Sequence, residues 1–292
     1  MNFTKLQGAG NDFILVEASN ISRDWPGVAR AVCDRHFGVG GDGLLLLLPS
    51  EVAHFRMRIF NPDGTEPEAC GNGLRCLVRY ILDRQLINPR AREVLVETAS
   101  GIRKARLHET GSGLSAIQVG MGAPEFGAKD IPVKVKAGQG NLVNIKPMLR
   151  YTVAVAGKEL ELDLVSMGNP HAVYFSQEPV ADFPLSRIAP EVQGLPVFPR
   201  GVNFEVARVL GRKLLEARVR ERGAGETLAC GSGACAIAVA ARLRGYIDNK
   251  VDIKLPGGIL NVEWGGVGEV LLGGPAETVF TGEWKDETIK TD

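Results

Sequence analysis

Apolar and polar residues alternate through His54-Phe55-Arg56-Met57-Arg58-Ile59-Phe60, a pattern that predicts a strand with one buried face. Comparable strand-like runs are Glu93 to Thr98, Ile102 to His108, Ser115 to Val119, Tyr151 to Val155, Glu159 to Val165, Asn203 to Val209 and Lys213 to Val219. Helical spacing is rarer, and predicts helices over roughly Trp25 to Phe37, Gly73 to Gln85, Pro184 to Gln193 and Gly233 to Arg244. Many short strands with few helices predict an α+β protein whose sheets are mostly antiparallel. Gly211-Arg212 and Gly257-Gly258 separate strand-like runs and read as hairpin turns. Ala137-Gly138-Gln139-Gly140-Asn141 is the most linker-like stretch and falls near the middle of the chain.

Superimposed on this pattern is a repeat. Ala69-Cys70-Gly71-Asn72-Gly73 returns 160 residues later as Ala229-Cys230-Gly231-Ser232-Gly233, each time leading into an apolar helical segment. Gly10-Asn11-Asp12-Phe13 has a counterpart in Gly168-Asn169-Pro170-His171, at about the same separation. Asn61 stands nine residues before Cys70, and Glu221 nine before Cys230. Three matches in register predict two related domains facing each other, with one such thiol apiece.

Composition adds mainly exclusions. With 45% hydrophobic and 23% charged residues in 292, the chain has the make-up of an ordinary globular protein with ample core. Lys plus Arg and Asp plus Glu both number 34, so no charge excess points to nucleic acid or an anionic membrane. The longest apolar run, Leu44 to Leu48, ends at Pro49 and is too short to span a bilayer. No secretory signal is visible at Met1 to Gly8, so a cytoplasmic location is expected. Five cysteines in a chain of this size fit free thiols in a reducing compartment.

A thiol at the amino end of a helix meets unsatisfied N–H groups and the positive end of the helix dipole, both of which favour thiolate. The same N–H groups can hold a carboxylate, and the neighbouring glycines let backbone approach a ligand closely. Two such helix ends suit a small amino acid: one thiolate removes the α-proton while the other thiol supplies a proton to the far face, inverting the centre. Cys33, Cys76 and Cys235 fall within apolar helical patterns and read as small buried hydrophobes. A zinc site from Cys70/Cys76 and Cys230/Cys235 has spacings unlike the usual two-residue-gap knuckles, and no metal is expected. His171 after its Gly-Asn-Pro turn fits a loop or core histidine as well as a functional one. Glu221-Arg222 reads either as a strand-end ion pair or as a carboxylate and guanidinium that bind a second amino-acid centre. Gly38 to Gly43 lacks the Lys-Ser/Thr of a phosphate loop, and no dinucleotide or pyridoxal phosphate signature is present.

The chain resembles the diaminopimelate epimerases, cofactor-independent enzymes that interconvert LL- and meso-diaminopimelate for lysine and peptidoglycan biosynthesis. The residues that carry the resemblance are Gly8 to Phe13, Phe60 to Gly64, Ala69 to Cys76, Ser166 to His171 and Glu221 to Cys235. The last run separates this family from the related proline racemases and phenazine-pathway isomerases. The resemblance implies that Cys70 and Cys230 are the acid and base, with His171 and Glu221 supporting catalysis. It implies further that Gly71, Asn72, Gly231 and Ser232 hold the reacting carboxylate. Asn11, Asn61, Asn169, Asn203, Glu221 and Arg222 are then the readers of the amino-acid groups. Many members carry a substrate-binding Gln where this chain has Gly43, a contact left to water or nearby backbone here.

The fold so implied is two pseudo-symmetric domains, each a mostly antiparallel sheet wrapped around a central helix with the substrate in the cleft between them. They cover residues 1–120 with about 277–292, and residues 121–276. A final strand near Thr278 to Gly282 returns to the first domain, and Val133 to Arg150 is a loop or hairpin extension. No cofactor is implied, the partner is a small-molecule substrate, and the common state of relatives implies a homodimer. Two readings stand beside this one: a racemase of the proline type, and a catalytically silent amino-acid-binding or metal-binding module.

Overall fold

The computed structural model describes residues 1–18, 23–67, 70–88, 90–110, 113–134, 141–145 and 147–285. In chain order its elements are β1 (Asn2–Gly8), β2 (Asn11–Glu17), α1 (Trp25–Val32), β3 (Gly43–Leu48), β4 (Phe55–Phe60), α2 (Gly71–Asp83), β5 (Glu93–Thr98), β6 (Gly101–Thr110) and β7 (Gly113–Gly120). There follow β8 (Asn141–Ile145), β9 (Met148–Val155), β10 (Lys158–Ser166), β11 (Pro170–Phe175), α3 (Leu185–Gln193), β12 (Asn203–Gly211), β13 (Leu214–Glu221) and β14 (Gly225–Thr227). The chain ends with α4 (Gly231–Leu243), β15 (Lys250–Leu255), β16 (Gly258–Glu263), β17 (Leu271–Gly274) and β18 (Glu277–Glu283). It divides into two compact units, Met1–Val119 with the chain from Gly274, and Gly120–Gly273.

In the first unit β18, β1 and β2 pair antiparallel, β3 joins β2 in parallel, β4 joins β3 antiparallel, and β5 joins β4 in parallel before β6 closes a hairpin. The second unit repeats that order. There β9, β10 and β11 are antiparallel, β12 is parallel to β11, β13 antiparallel to β12, β15 parallel to β13, and β16 forms a hairpin with β15. Helices fall at equivalent places too: α1 and α3 bridge the first parallel pair of each unit, α2 and α4 the second. The linker-like Ala137 to Gly140 lies outside the described residues, whereas β8 and β9 form a hairpin that starts within the Val133 to Arg150 stretch and runs on to Val155.

Each unit buries one helix almost completely. Gly71 to Val78, Tyr80 and Ile81 of α2 are buried, as are Gly231 and Gly233 to Ala241 of α4. A helix apolar on nearly every side can only be satisfied by a sheet that curls around it. Smaller cores form on the opposite sheet faces: Val28, Ala29 and Val32 of α1 pack with Ile14, Val16, Leu44 and Leu46, and Leu185, Ile188 and Val192 of α3 pack with Leu160, Leu162, Phe204 and Val206.

The first predicted helix is shorter than its spacing implies. Asp24 caps α1 through a 3.0 Å bond from Gly27 N–H, but the helix stops at Val32. Asp34 then accepts the N–H groups of His36 and Phe37, both at 2.7 Å, which turns the chain and leaves Phe37 93% exposed. A side-chain acceptor that captures local N–H groups competes directly with the helix ladder.

Candidate active site

Cys70 and Cys230 are the N-caps of the two buried helices. Both backbones are extended there, with φ of −146° and −114°, and each Sγ accepts the N–H of the third helical residue: Gly73 at 3.3 Å and Gly233 at 3.4 Å. A capping side chain satisfies one of the donors that helix geometry strands at its start. The N–H groups of Gly71, Gly231 and Ser232 stand outside the i to i−4 ladder for the same reason, at the positive end of the helix dipole.

The Gly-Asn turns deliver an amide to each helix start. Ala9 and Gly10 both have positive φ, +54° and +82°, which gives β1 and β2 a tight hairpin of the kind that matches strand twist. Asn11 follows directly, and its Oδ1 accepts from Asn72 Nδ2 at 3.1 Å. In the second unit Gly168 has φ +88°, and Asn169 Nδ2 donates to Ser232 Oγ at 3.3 Å. The residue two beyond each thiol is therefore tied to the turn asparagine in both halves.

Around the first helix start the amides are held by charge. Arg75, wholly buried, donates to Asn72 Oδ1 at 2.7 Å, and Asn11 Nδ2 donates to Asp42 Oδ2 at 2.7 Å. Asp42 also accepts from Arg35 at 2.8 Å, and Arg35 reaches Asp12 at 2.7 Å, where Lys5 makes a second ion pair. Burial raises the Asp12 pKa, but hydrogen bonds from Arg35 and Lys5 outweigh it and lower the value to about 2. Asn61 closes a local turn instead, donating to Thr65 Oγ1 at 2.9 Å.

The second helix start is framed by carboxyls. Cys230 is 4% exposed, and its thiol is pushed well above its ordinary pKa, first by burial and then by Glu221 and Glu205, while the Ser232 hydroxyl and Gly233 N–H pull the other way. Ser232 Oγ is 3.5 Å from its sulfur. His171 has no solvent exposure, with Nδ1 2.7 Å from Glu205 Oε1 and Nε2 2.9 Å from Asn169 Oδ1. Glu221 accepts the Thr227 hydroxyl at 2.7 Å. Asn203 Oδ1 takes the Arg222 N–H at 2.8 Å, and the Arg222 guanidinium donates to the Arg200 carbonyl at 2.6 Å.

The second unit thus gathers Cys230, Ser232, Asn169 and His171 into one hydrogen-bonded chain, and the first gathers Cys70, Asn72 and Asn11 at one helix start. Arg75, Asp42 and Glu205 were not singled out as site residues from sequence. For Glu205 a signal existed: it lies two residues after Asn203 on one strand, so the two share a face. Cys33, Cys76 and Cys235 are buried, and burial lifts the first two to a pKa of about 12, as expected of packing thiols. Among the described residues no group of three or more His, Cys, Asp or Glu side chains is placed to hold a metal ion. No described helix is long and apolar enough to cross a membrane.

Gly43 opens β3 between β2 and β4, paired with Phe13, and a Cβ there would lie 3.0 Å from the Phe60 carbonyl and 3.4 Å from the Phe13 ring. Gly43→Gln is expected to force these strands apart and cost about 1–3 kcal/mol. A drop in Tm without a gain in turnover, seen by thermal melt and steady-state assay, is the expected result.

Among solved structures, the fold matches a phenazine biosynthesis protein of the PhzF family from Bacillus anthracis, with TM-score 0.71 at 17% identity, covering 98% of this chain and 99% of that one. It also matches a hydroxyproline epimerase from Agrobacterium vitis, TM-score 0.69 at 16% identity, covering 97% and 91%. These likenesses show the fold, a two-domain α+β architecture. In sequence the chain matches the diaminopimelate epimerase family over residues 3–127 and 164–279. It is 47% identical to the diaminopimelate epimerase of Moorella thermoacetica, covering 97% of this chain and 99% of the relative, and 44% identical to that of Desulfitobacterium hafniense, covering 99% and 100%. The chain belongs to the diaminopimelate epimerase family.

Proposed function

We propose that this protein interconverts LL- and meso-diaminopimelate without a cofactor, as an isomerase of lysine and peptidoglycan precursor synthesis in the cytoplasm. The observation that carries the reading is the thiol N-cap made twice, with sulfur-to-nitrogen distances of 3.3 and 3.4 Å at matching positions of two repeated units. One thiol, as thiolate, takes the α-proton; the other returns a proton to the opposite face of that carbon. The charge that develops on the substrate carboxylate is stabilised by N–H groups at Gly71, Asn72, Gly231 and Ser232, already oriented before reaction. Cys230, kept protonated by burial and its carboxylate neighbours, enters as the acid in the resting enzyme.

In this scheme the amides of Asn11, Asn61, Asn169 and Asn203, with Glu221 and Arg222, read the two amino-acid ends of the substrate. Glu221 and His171 also tune the Cys230 side. The half-exposed Glu221 and exposed Arg222 stand within reach of ligand, which suits recognition of a distal ammonium and carboxylate. The active protein is taken to be a homodimer, as is common among its relatives.

The test is proton exchange in deuterated water with purified protein and no added cofactor. LL-diaminopimelate is expected to gain α-deuterium as meso product forms, with proline and hydroxyproline left unexchanged. Exchange of proline in preference to diaminopimelate, or a requirement for pyridoxal phosphate, overturns the proposal.

A further inference from the structure

Glu205 carries a carboxyl with no solvent exposure, on β12 beside Asn203 and against the first turn of α4, where a Cβ on Gly233 would lie 3.2 Å from its Oε1. Oε1 meets His171 Nδ1 at 2.7 Å, while Oε2 is buried without a hydrogen-bond partner among the described residues. Burial is the main influence on this carboxyl and raises its pKa; the adjoining His171 opposes it, Glu221 adds to it, and the Ala172 N–H opposes it.

The partners on the other side of the ring fix its proton. With the Asn169 amide placed so that its nitrogen faces Ser232, its oxygen faces His171 Nε2 at 2.9 Å and can only accept, and in that orientation Nε2 bears a hydrogen. The Asn169 nitrogen donates to Ser232 Oγ, which in turn lies 3.5 Å from Cys230 Sγ, so the Ser232 hydroxyl is free to donate to the sulfur. With Nε2 protonated, a proton must also lie between Nδ1 and Glu205, because a bare ring nitrogen would set its lone pair against a carboxylate's. Glu205 and His171 together hold that one proton and carry no net charge, as acid with neutral ring or as ion pair.

We infer that Glu205 is a positioning residue for the Cys230 half of the reaction: it keeps His171 donating from Nε2, and so holds the Asn169 amide and Ser232 hydroxyl in the orientation that serves the thiol. Without it, neutral His171 is free to carry its proton on Nδ1, and a bare Nε2 would turn the Asn169 amide over and reverse every donor between the ring and the sulfur. The inference rests on Cys230 being a reacting thiol.

Two substitutions separate this role from simple packing. Glu205→Met fills similar space but cannot hold Nδ1. It is expected to lower kcat by about 10- to 100-fold, the loss typical when a carboxylate that orients a functional imidazole is removed, with KM little changed. The pH profile of Cys230 alkylation by iodoacetamide, set jointly with Glu221 and His171, is expected to move while that of Cys70 stays. Glu205→Gln, whose amide N–H can donate to Nδ1, is expected to recover most of the lost kcat. In the wild-type protein, nitrogen-15 spectra of labelled histidine should show His171 Nε2 protonated, a measurement that needs no variant to fold. An unprotonated Nε2 in the wild type, or a Met variant with wild-type kcat and an unmoved Cys230 profile, overturns the inference. Epimerisation at the wild-type rate by Cys230→Ala instead overturns the two-thiol scheme itself, so the two failures are told apart.

Discussion

Cys70→Ala and Cys230→Ala are each expected to lower epimerisation of diaminopimelate by about 10³-fold, the scale of a lost general acid or base. Both losses should be similar, because in the proposed scheme every inversion uses one thiol to take a proton and the other to give one. The double variant is expected to be little worse than either single one, since groups that act as a unit are not additive. Substrate stereochemistry supplies a sharper readout. A proton on one face of the carbon can be removed only by the sulfur on that face, so each single variant should exchange deuterium with one epimer and ignore the other. Mass spectrometry of the two epimers after incubation in deuterated water measures this. A single variant that epimerises at the wild-type rate rules the scheme out.

Asp163→Ala is expected to destabilise the second unit by about 3–5 kcal/mol, the cost of leaving a buried ion network without its partner. Asp163 has no exposed side-chain surface, accepts from Arg150 at 2.9 Å and is paired with Arg244 as well. Arg244 sits at the C-cap of α4 and also reaches Glu161 at 2.7 Å, so Asp163 ties the end of that helix to β10. Removing it leaves two guanidiniums, only 19% and 13% exposed, to share Glu161 as their remaining carboxylate. For a unit of this size a fall in Tm of roughly 10 °C follows, read by calorimetry. An unchanged Tm would mean that water replaces the carboxylate at both arginines. The helix held by Asp163 is the one that begins at Cys230, so activity should fade at lower temperature as well.

What the sequence revealed most clearly was the pattern that repeats. Glu93 to Thr98 and the hairpin at Gly211-Arg212 were legible because half-buried strands alternate and turns carry glycine. Leu44 to Leu48 and Phe13 to Val16 gave no such sign. These residues belong to a parallel pair, β2 with β3, buried on one face against α1 and on the other against α2, and strands covered on both sides are apolar throughout. Helix starts were read about two residues late at Gly73 and Gly233, because glycine and asparagine in a first turn look like loop while the cap ahead of them is a cysteine. Arg75 is hidden among the apolar neighbours Leu74, Cys76, Leu77 and Val78 of its helix. Its role depends on Asn72, one turn back, and on Asn11, some sixty residues away and brought near only by the hairpin at Ala9-Gly10.

Helix starts are ordinarily capped by oxygen, from Ser, Thr, Asp or Asn. Sulfur is a weaker acceptor, so the two buried helices α2 and α4 start on a poorer cap than a hydroxyl would provide. The two positions are accordingly ones where a serine would suit the fold and, in the proposed scheme, defeat the chemistry. If the two thiols are the acid and base proposed above, stability and reactivity make opposite demands on the same two positions.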